Sequence, residues 1–403
     1  MDLDISALRL EYRDGRRQWS EAGTGKTSDL GEYRIPKLAP GQYLVKTGSR
    51  FPAYLYADKS LSQPLPKTAD VIYAAAYHPG TTDQPAAVPV QVGSGGEVRG
   101  VDIRLSPTRT FRIRGSVGKP AGVAAVLAWS SKESGERVID LHIGESENRF
   151  ELRGMPPGTY ELIVEPEDSG LKALARQMVV VGDRHVDGVV MTLVVASEIH
   201  GTVKVEDAAT PPDLGELTIA MSGETIYGMP EAVVAPDLSF VLKDVVPTRF
   251  KVGVRGAPDC CYVKSIRYGG ERIPDAGPDS GIEFASRSTL EITLSATAAQ
   301  VEGAVVDKDG KGVVGATVAL IPRGAGTPAV RSVTTNEAGR YRFAGLKPGD
   351  YQLLAWEDIE PGACLDPDFR KAFESRAESV TLDANGHQTV QLKVISAEEA
   401  KGQ

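Results

Sequence analysis

The chain has 403 residues with 41% hydrophobic and 25% charged side chains, the make-up of a soluble globular protein of about two to four domains. Its formal net charge of −9 argues against a nucleic-acid partner, which would need a basic face. Three cysteines are too few for a disulfide scaffold, and no apolar run reaches the ~20 residues of a membrane-spanning helix, so direct membrane insertion is not expected.

Residues 1–15 have neither a basic n-region nor an apolar core and do not read as a secretory signal. A strand is predicted from Ile5 to Tyr12, and residues 31–35 alternate as a second. Leu38-Ala39-Pro40-Gly41-Gln42-Tyr43 then places a Pro-Gly turn between two strands. The same closure returns as Met155-Pro156-Pro157-Gly158-Thr159-Tyr160. A degenerate copy is Val245-Val246-Pro247-Thr248-Arg249-Phe250, and the fullest is Leu346-Lys347-Pro348-Gly349-Asp350-Tyr351. The copies lie roughly 100 residues apart, the size of one β-sandwich. An alternating strand precedes each closure, at residues 31–35, 148–152, 238–242 and 339–343.

Each unit also ends on an alternating strand, at residues 97–105, 186–193, 290–294 and 389–394. The next unit opens within a few residues, without a Gly/Ser-rich tether, which favours a stiff rod over freely jointed beads. The fold class expected is therefore all-β: four tandem sandwiches in an elongated array. Their bounds are 1–108, 109–195, 196–298 and 299–397. One short helix is expected in the last, where Asp366 is a good N-cap, Pro367 a good first residue, and Phe369 and Phe373 lie at i, i+4.

The last unit is the clearest. Asp307-Lys308-Asp309-Gly310 and Asn336-Glu337-Ala338-Gly339 supply hairpin turns, and Tyr341 and Phe343 alternate with Arg340 and Arg342. When Tyr33 is aligned with Tyr341, the first unit lacks a partner for the strand at 301–306, and the chain starts at what should be its second strand. Three explanations are open: the protein continues upstream, where a signal would then lie, a strand from another chain fills the gap, or the domain closes without that strand.

The stretch GAVVDKDGKGVVGATVALIP followed by TTNEAGRYRFAGLKPGDYQLLAW resembles the carboxypeptidase regulatory-like domain, a transthyretin-like (immunoglobulin-like) β-sandwich. The resemblance is strongest over 301–356, good over 28–43 and 112–164, and weak over 199–294, where Thr248 replaces the turn glycine. The whole is similar to bacterial, particularly acidobacterial, tandem-repeat proteins of this type. The resemblance implies a fold with no catalytic residues of its own and an extracellular, periplasmic or cell-surface setting.

Candidate chemistry is sparse. None of the five histidines has Glu three residues on, as a zinc carboxypeptidase requires, and no metal or cofactor is expected. Gly23-Thr24-Gly25-Lys26-Thr27 departs from a phosphate-binding loop at Ser20 and lies between strands. Asp307 to Gly310 lacks the further oxygen ligands of a calcium loop. Glu357, Asp358 and Glu360 beside Trp356 read as a solvated loop face. One of the adjacent Cys260 and Cys261 could pair with Cys364, with Cys261–Cys364 the candidate bridge. The polar, Pro-rich loop 58–88 is the likeliest recognition surface, with Tyr73, Tyr77 and His78 as candidate ligand-binding residues and Trp356 beside them in role.

The expected function is non-catalytic: an extracellular or cell-envelope repeat protein acting as spacer or interaction module, with other surface proteins or a second copy as partner. Alternatives are a carbohydrate- or peptide-binding module with a glycan as partner, a fibre subunit completed by a donated strand at its first domain, and an accessory region of a larger enzyme.

Overall fold

The computed structural model describes residues 3–13, 15–48, 55–57, 71–132, 137–167, 170–210, 212–223, 228–273, 281–284, 288–324 and 329–401. The chain groups into two compact units, Met1–Glu11 with Gln18–Ala196, and Tyr12–Arg17 with Ser197–Gln403.

In the second unit, residues 299–393 form a sandwich that serves as reference for the rest. One sheet places Ala299–Val306, here the opening strand, between Arg340–Leu346 and the closing strands His387–Thr389 and Leu392–Lys393. The opening strand runs antiparallel to the first neighbour, with Gly303 opposite Tyr341, and parallel to the closing strands. The other sheet runs in the order Arg331–Thr334, Thr317–Pro322, Gly349–Trp356, Glu378–Leu382. Val301, Val305, Val318, Leu320, Phe343 and Leu353 fill the space between them. Burial of each such side chain contributes about 1.5–3 kcal/mol.

The turns form for the reasons the sequence suggests. Asp307 Oδ1 accepts from the amides of Asp309 and Lys311, and Asn336 Oδ1 from those of Ala338 and Arg340. In the Pro-Gly closure Leu346 and Tyr351 are buried, and the Tyr351 hydroxyl donates to Lys347 O at 2.6 Å. Tyr160 and Tyr43 make the same bond to Pro156 O and Ala39 O. The degenerate copy carries Phe250 and has no hydroxyl to offer.

The expected helix is present as Pro367–Lys371, capped by Asp366, whose carboxylate accepts from the Asp368 amide at 2.8 Å. A second helix, Ala397–Lys401, corrects the expectation of only one. Its signal is a capping box: the Ser396 hydroxyl accepts from the Glu399 amide while the Glu399 carboxylate accepts from the Ser396 amide.

The third sandwich repeats the plan. Its opening strand Ser197–Glu206 lies between Ser239–Val245 and the parallel closing strand Leu290–Ser295, with Tyr262–Tyr268 and Glu271–Ile273 beyond. Glu231–Val233, Thr218–Gly223, Arg249–Arg255 and Ile282–Glu283 form its other sheet.

Within the first unit, the second sandwich has its opening strand Phe111–Gly118 between Arg149–Met155 and the parallel Val186–Thr192. Leu55–Ala57 adds to the edge at Arg149–Met155, so a short piece of the preceding region completes this sheet. The facing sheet contains Arg137–Ile143, Ala125–Ser131, Gly158–Pro166, Ala173–Val181 and Val194–Val195. Trp129 packs edge-on to Tyr160 in the core between.

The N-terminal region has one four-stranded sheet, ordered Arg16–Lys26, Asp4–Arg13, Gly41–Thr47, Val90–Val92. This matches the second sheet of the reference sandwich strand for strand. Gly23 to Lys26 falls inside one of these strands, as the hairpin reading requires. Residues 31–35 and 97–105, expected as strands, form no ladder among the described residues, and Gly31 and Gly100 within them have φ of 83° and 76°.

Candidate functional site

The predicted ligand-binding residues do not converge. Trp356 is fully buried, tilted against Phe369 and edge-on to Phe373 with ring centroids 5.8 and 5.9 Å away. The strand Gly349–Trp356 is covered on both faces: Leu353 and Ala355 enter the sandwich core, while Leu354 and Trp356 meet the short helix. Trp356 therefore cannot offer a ring face to a ligand, which corrects that expectation. Tyr77 is likewise buried, against Leu8 and Leu44. Tyr73 stays exposed on the small sheet made by Val71–Tyr73 and Pro107–Arg109. His78 is half-buried, and its Nδ1 lies 2.6 Å from Asp102 O. Residues 58–70 of the expected recognition loop lie outside the described residues.

The Cys261–Cys364 bridge is also corrected: all three thiols are free. Cys364 is packed beside Trp356 and Phe373. Burial, with neighbouring Cys260 adding to it, pushes the Cys261 thiol up to about 11, so it is a packing residue rather than a nucleophile. Glu357 is not free either, since its carboxylate accepts from the Ala397 amide. No cluster of three or more metal-ligating side chains occurs among the described residues.

The most buried carboxylate among the described residues is on the outer face of the second sandwich. Glu151, 3% exposed, pairs with Arg153 Nε at 2.5 Å and Arg114 Nε at 3.2 Å. Burial works to raise the Glu151 pKa, but hydrogen bonds and charge from Arg153 and Arg114 outweigh it and hold the carboxyl below the ordinary range. The pairing leaves no free base, so the arrangement is structural.

Two other constructions are better formed. The first joins the third and fourth sandwiches inside the second unit. Leu290–Ser295 passes into Ala299–Val306 across residues 296–298 only. On one side the Gly345 amide donates to Asp259 O at 3.1 Å and Ala298 N to Cys260 O at 3.0 Å; on the other, Asn385 N donates to Thr297 O at 3.1 Å. Arg342 adds an ion pair to Asp259 at 2.9 Å. Gly345 has φ +63°, and a Cβ there would stand 3.1 Å from Cys261 O, so glycine permits the close seating. Arg331 lies over the Phe343 ring and donates to Ala344 O beneath this contact.

The second is a crossing repeated in the sandwiches. Where the opening strand passes under the aromatic of its neighbour, it carries glycine. A Cβ on Gly303 would lie 1.8 Å from Val390 O and 3.0 Å from the Tyr341 hydroxyl. One on Gly115 would lie 2.3 Å from Val189 O and 2.5 Å from the Phe150 ring; one on Gly201, 2.1 Å from Phe240 and 2.7 Å from Leu290 O. In the fourth sandwich the Tyr341 hydroxyl bridges the strand to reach Val390 O at 2.7 Å. The signal was present as Ile113-Arg114-Gly115, Ile199-His200-Gly201 and Val301-Glu302-Gly303 but reads as ordinary alternation without the partner strand.

Residues 300–395 match the carboxypeptidase regulatory-like domain. No curated protein matches the chain. Among solved structures it is similar to the TIE protein of Bacillus anthracis, at 13% identity over 98% of this chain and 69% of that one, with a TM-score of 0.19. It is similar to a streptococcal ancillary pilin at 10% identity over 70% and 98%, TM-score 0.21. It is also similar to two B repeat units of the collagen-binding protein of Staphylococcus aureus, at 11% identity over 97% and 93%, TM-score 0.18. At these scores the likeness does not extend to a common arrangement of the chains.

Proposed function

We propose that the chain is a non-catalytic repeat protein of the cell envelope or exterior that works as a spacer and interaction module, with other surface proteins or further copies of itself as partners. The observation that carries this reading is the junction between the third and fourth sandwiches. Three backbone hydrogen bonds surround a three-residue connection, so the two sandwiches hold a fixed relation instead of swinging on a tether. A spacer needs that property; a chain of independent binding beads does not. The carboxylates with lowered pKa support the same reading, since Glu151 and Glu161 are held in ion pairs on sheet faces.

The test is a distance measurement between spin labels on the full chain. Labels are placed at the exposed Glu271 of the third sandwich and Lys308 of the fourth, with Cys260 replaced by serine. A fixed junction gives one narrow distance distribution, broadened by Gly345→Val. A broad distribution in the parent chain would remove the spacer reading.

A further inference from the structure

We propose that the adjacent Cys260 and Cys261 form a reversible dithiol–disulfide site, oxidised by low-molecular-weight disulfides, whose closure releases the junction between the third and fourth sandwiches. Their sulfurs lie 3.7 Å apart. The two thiols differ in access: Cys260 is exposed, whereas Cys261 is buried, at 2% exposed. A reagent in solution therefore meets Cys260 first. Burial bars Cys261 from solution, which is why it packs instead of reacting there. One sulfur is nevertheless within its reach, that of Cys260.

The chemistry balances as thiol–disulfide exchange. Cys260 gives up its proton, and its thiolate attacks one sulfur of the small disulfide. That S–S bond breaks and one small thiolate leaves. Cys261 then loses its proton and attacks the Cys260 sulfur, breaking the mixed disulfide and expelling the second small thiolate. The two departing thiolates take up the two protons. The protein dithiol is oxidised to a disulfide, and the small disulfide is reduced to two thiols. Burial, which raises the Cys261 pKa, slows the second attack; contact with Cys260 offsets this, because a group held beside its target reacts at high effective concentration.

The bond is reversible because it forms under strain. Adjacent Cα atoms stand about 3.8 Å apart across a trans peptide, closer than the ~4.4–6.8 Å usual for a disulfide. A bridge formed there is easily reduced, as labile disulfides are and structural ones are not.

The pair also sits where its closure is felt. Pro258 to Cys261 is a turn, closed by the Cys261 amide donating to Pro258 O at 2.8 Å. Both central carbonyls of this turn serve the junction: Asp259 O accepts from Gly345 N and Cys260 O from Ala298 N, while the Asp259 carboxylate holds Arg342. Closing the bond draws the sulfurs from 3.7 Å to about 2.05 Å. Each side chain has one carbon between sulfur and backbone, so the new ring runs through the Cys260–Cys261 peptide and turns it. The Cys260 carbonyl belongs to that peptide and loses its aim at Ala298 N. Gly345 is seated 3.1 Å from Cys261 O at its Cβ position, so it is displaced with the turn.

The thiol site stands on this geometry alone; its effect on the junction rests on the spacer reading. The reduced full chain is incubated with oxidised glutathione and followed by intact mass, peptide mapping and hydrogen exchange. Loss of two hydrogen atoms without bound glutathione is expected, with the bond mapped to Cys260–Cys261 and Cys364 still free. The amides of Ala298 and Gly345 are expected to exchange at least about tenfold faster, and excess reduced glutathione to reverse both changes. Cys261→Ser should instead retain glutathione on Cys260, because no thiol is left to displace it, and Cys260→Ser should neither bind glutathione nor change its exchange. Glutathione retained on Cys260 in the parent chain, a bond to Cys364 or to a second chain, no reaction, a bond that reduced glutathione does not open, or unchanged exchange at Ala298 and Gly345 in the bonded chain would each overturn the proposal. The spin-labelled chain carries Cys260→Ser and cannot form the bond, so a broad distance distribution there removes the spacer reading and leaves the thiol chemistry standing.

Discussion

Replacing Gly303 by alanine tests the crossing at the centre of the fourth sandwich. The new methyl would stand 1.8 Å from Val390 O, which belongs to backbone and cannot rotate away. Carbon and carbonyl oxygen approach to about 3.3–3.6 Å at their closest in sheets, so one strand must retreat by roughly 1.5 Å. That movement breaks the bond from Val390 N to Glu302 O and the one from the Tyr341 hydroxyl to Val390 O. Each contributes about 0.5–1.5 kcal/mol. Overpacking in the core adds about 1–3 kcal/mol. The expected destabilisation is therefore about 2–6 kcal/mol. Urea unfolding of the full chain, followed by Trp356 fluorescence with Trp19 and Trp129 replaced by phenylalanine, reads this sandwich. Val314→Ala is the control in the same sandwich: Val314 is 60% exposed, so its effect is expected within about 1 kcal/mol of zero. A Gly303→Ala midpoint no lower than that of the control would refute the geometric argument.

Two further outcomes follow from the buried groups. Glu151 has its folded pKa held below the ordinary value of 4.5, so its contribution is present above that pH and is lost as pH falls through the depressed folded value. Glu151→Gln should lower the melting temperature at pH 7, and the difference from the parent should shrink as the pH falls below 4.5; parallel curves would contradict the pairing with Arg153 and Arg114. The thiols give the other outcome. Cys260 is exposed while Cys261 and Cys364 are buried, so a thiol reagent should label one site rapidly in the native chain and three after denaturation. A protein in which only one thiol reacts after denaturation would instead contain the bridge.

Much of the fold is legible because turn chemistry and alternation are local. Asp307, Asn336 and Asp366 accept the amide bonds their positions suggest, and the Tyr closures at 43, 160 and 351 form as their spacing implies. What depends on a distant neighbour is not legible. Trp356 follows Leu353, Leu354 and Ala355, an unbroken apolar run; such a run marks a strand covered on both faces and points away from a surface platform. Tyr77 reads as surface because its segment is polar, yet it pairs by bridges to Lys46 and Thr81 and turns inward. Residues 97–105 alternate correctly, with Val101 and Ile103 inward, but alternation reports a face and cannot supply a hydrogen-bonding neighbour. The glycines 115, 201 and 303 looked like strand residues of no special role until the aromatic above each was in place.

Native-state hydrogen exchange on the full chain tests the central claim, that one chain path is repeated with its opening strand paired on both sides in three sandwiches. The amides of Ile113, Val203 and Val301, each in such a strand, should exchange only through unfolding of their sandwiches. Exchange of any of the three within the dead time of the experiment would mean that its strand is not held between two neighbours, and would contradict the account.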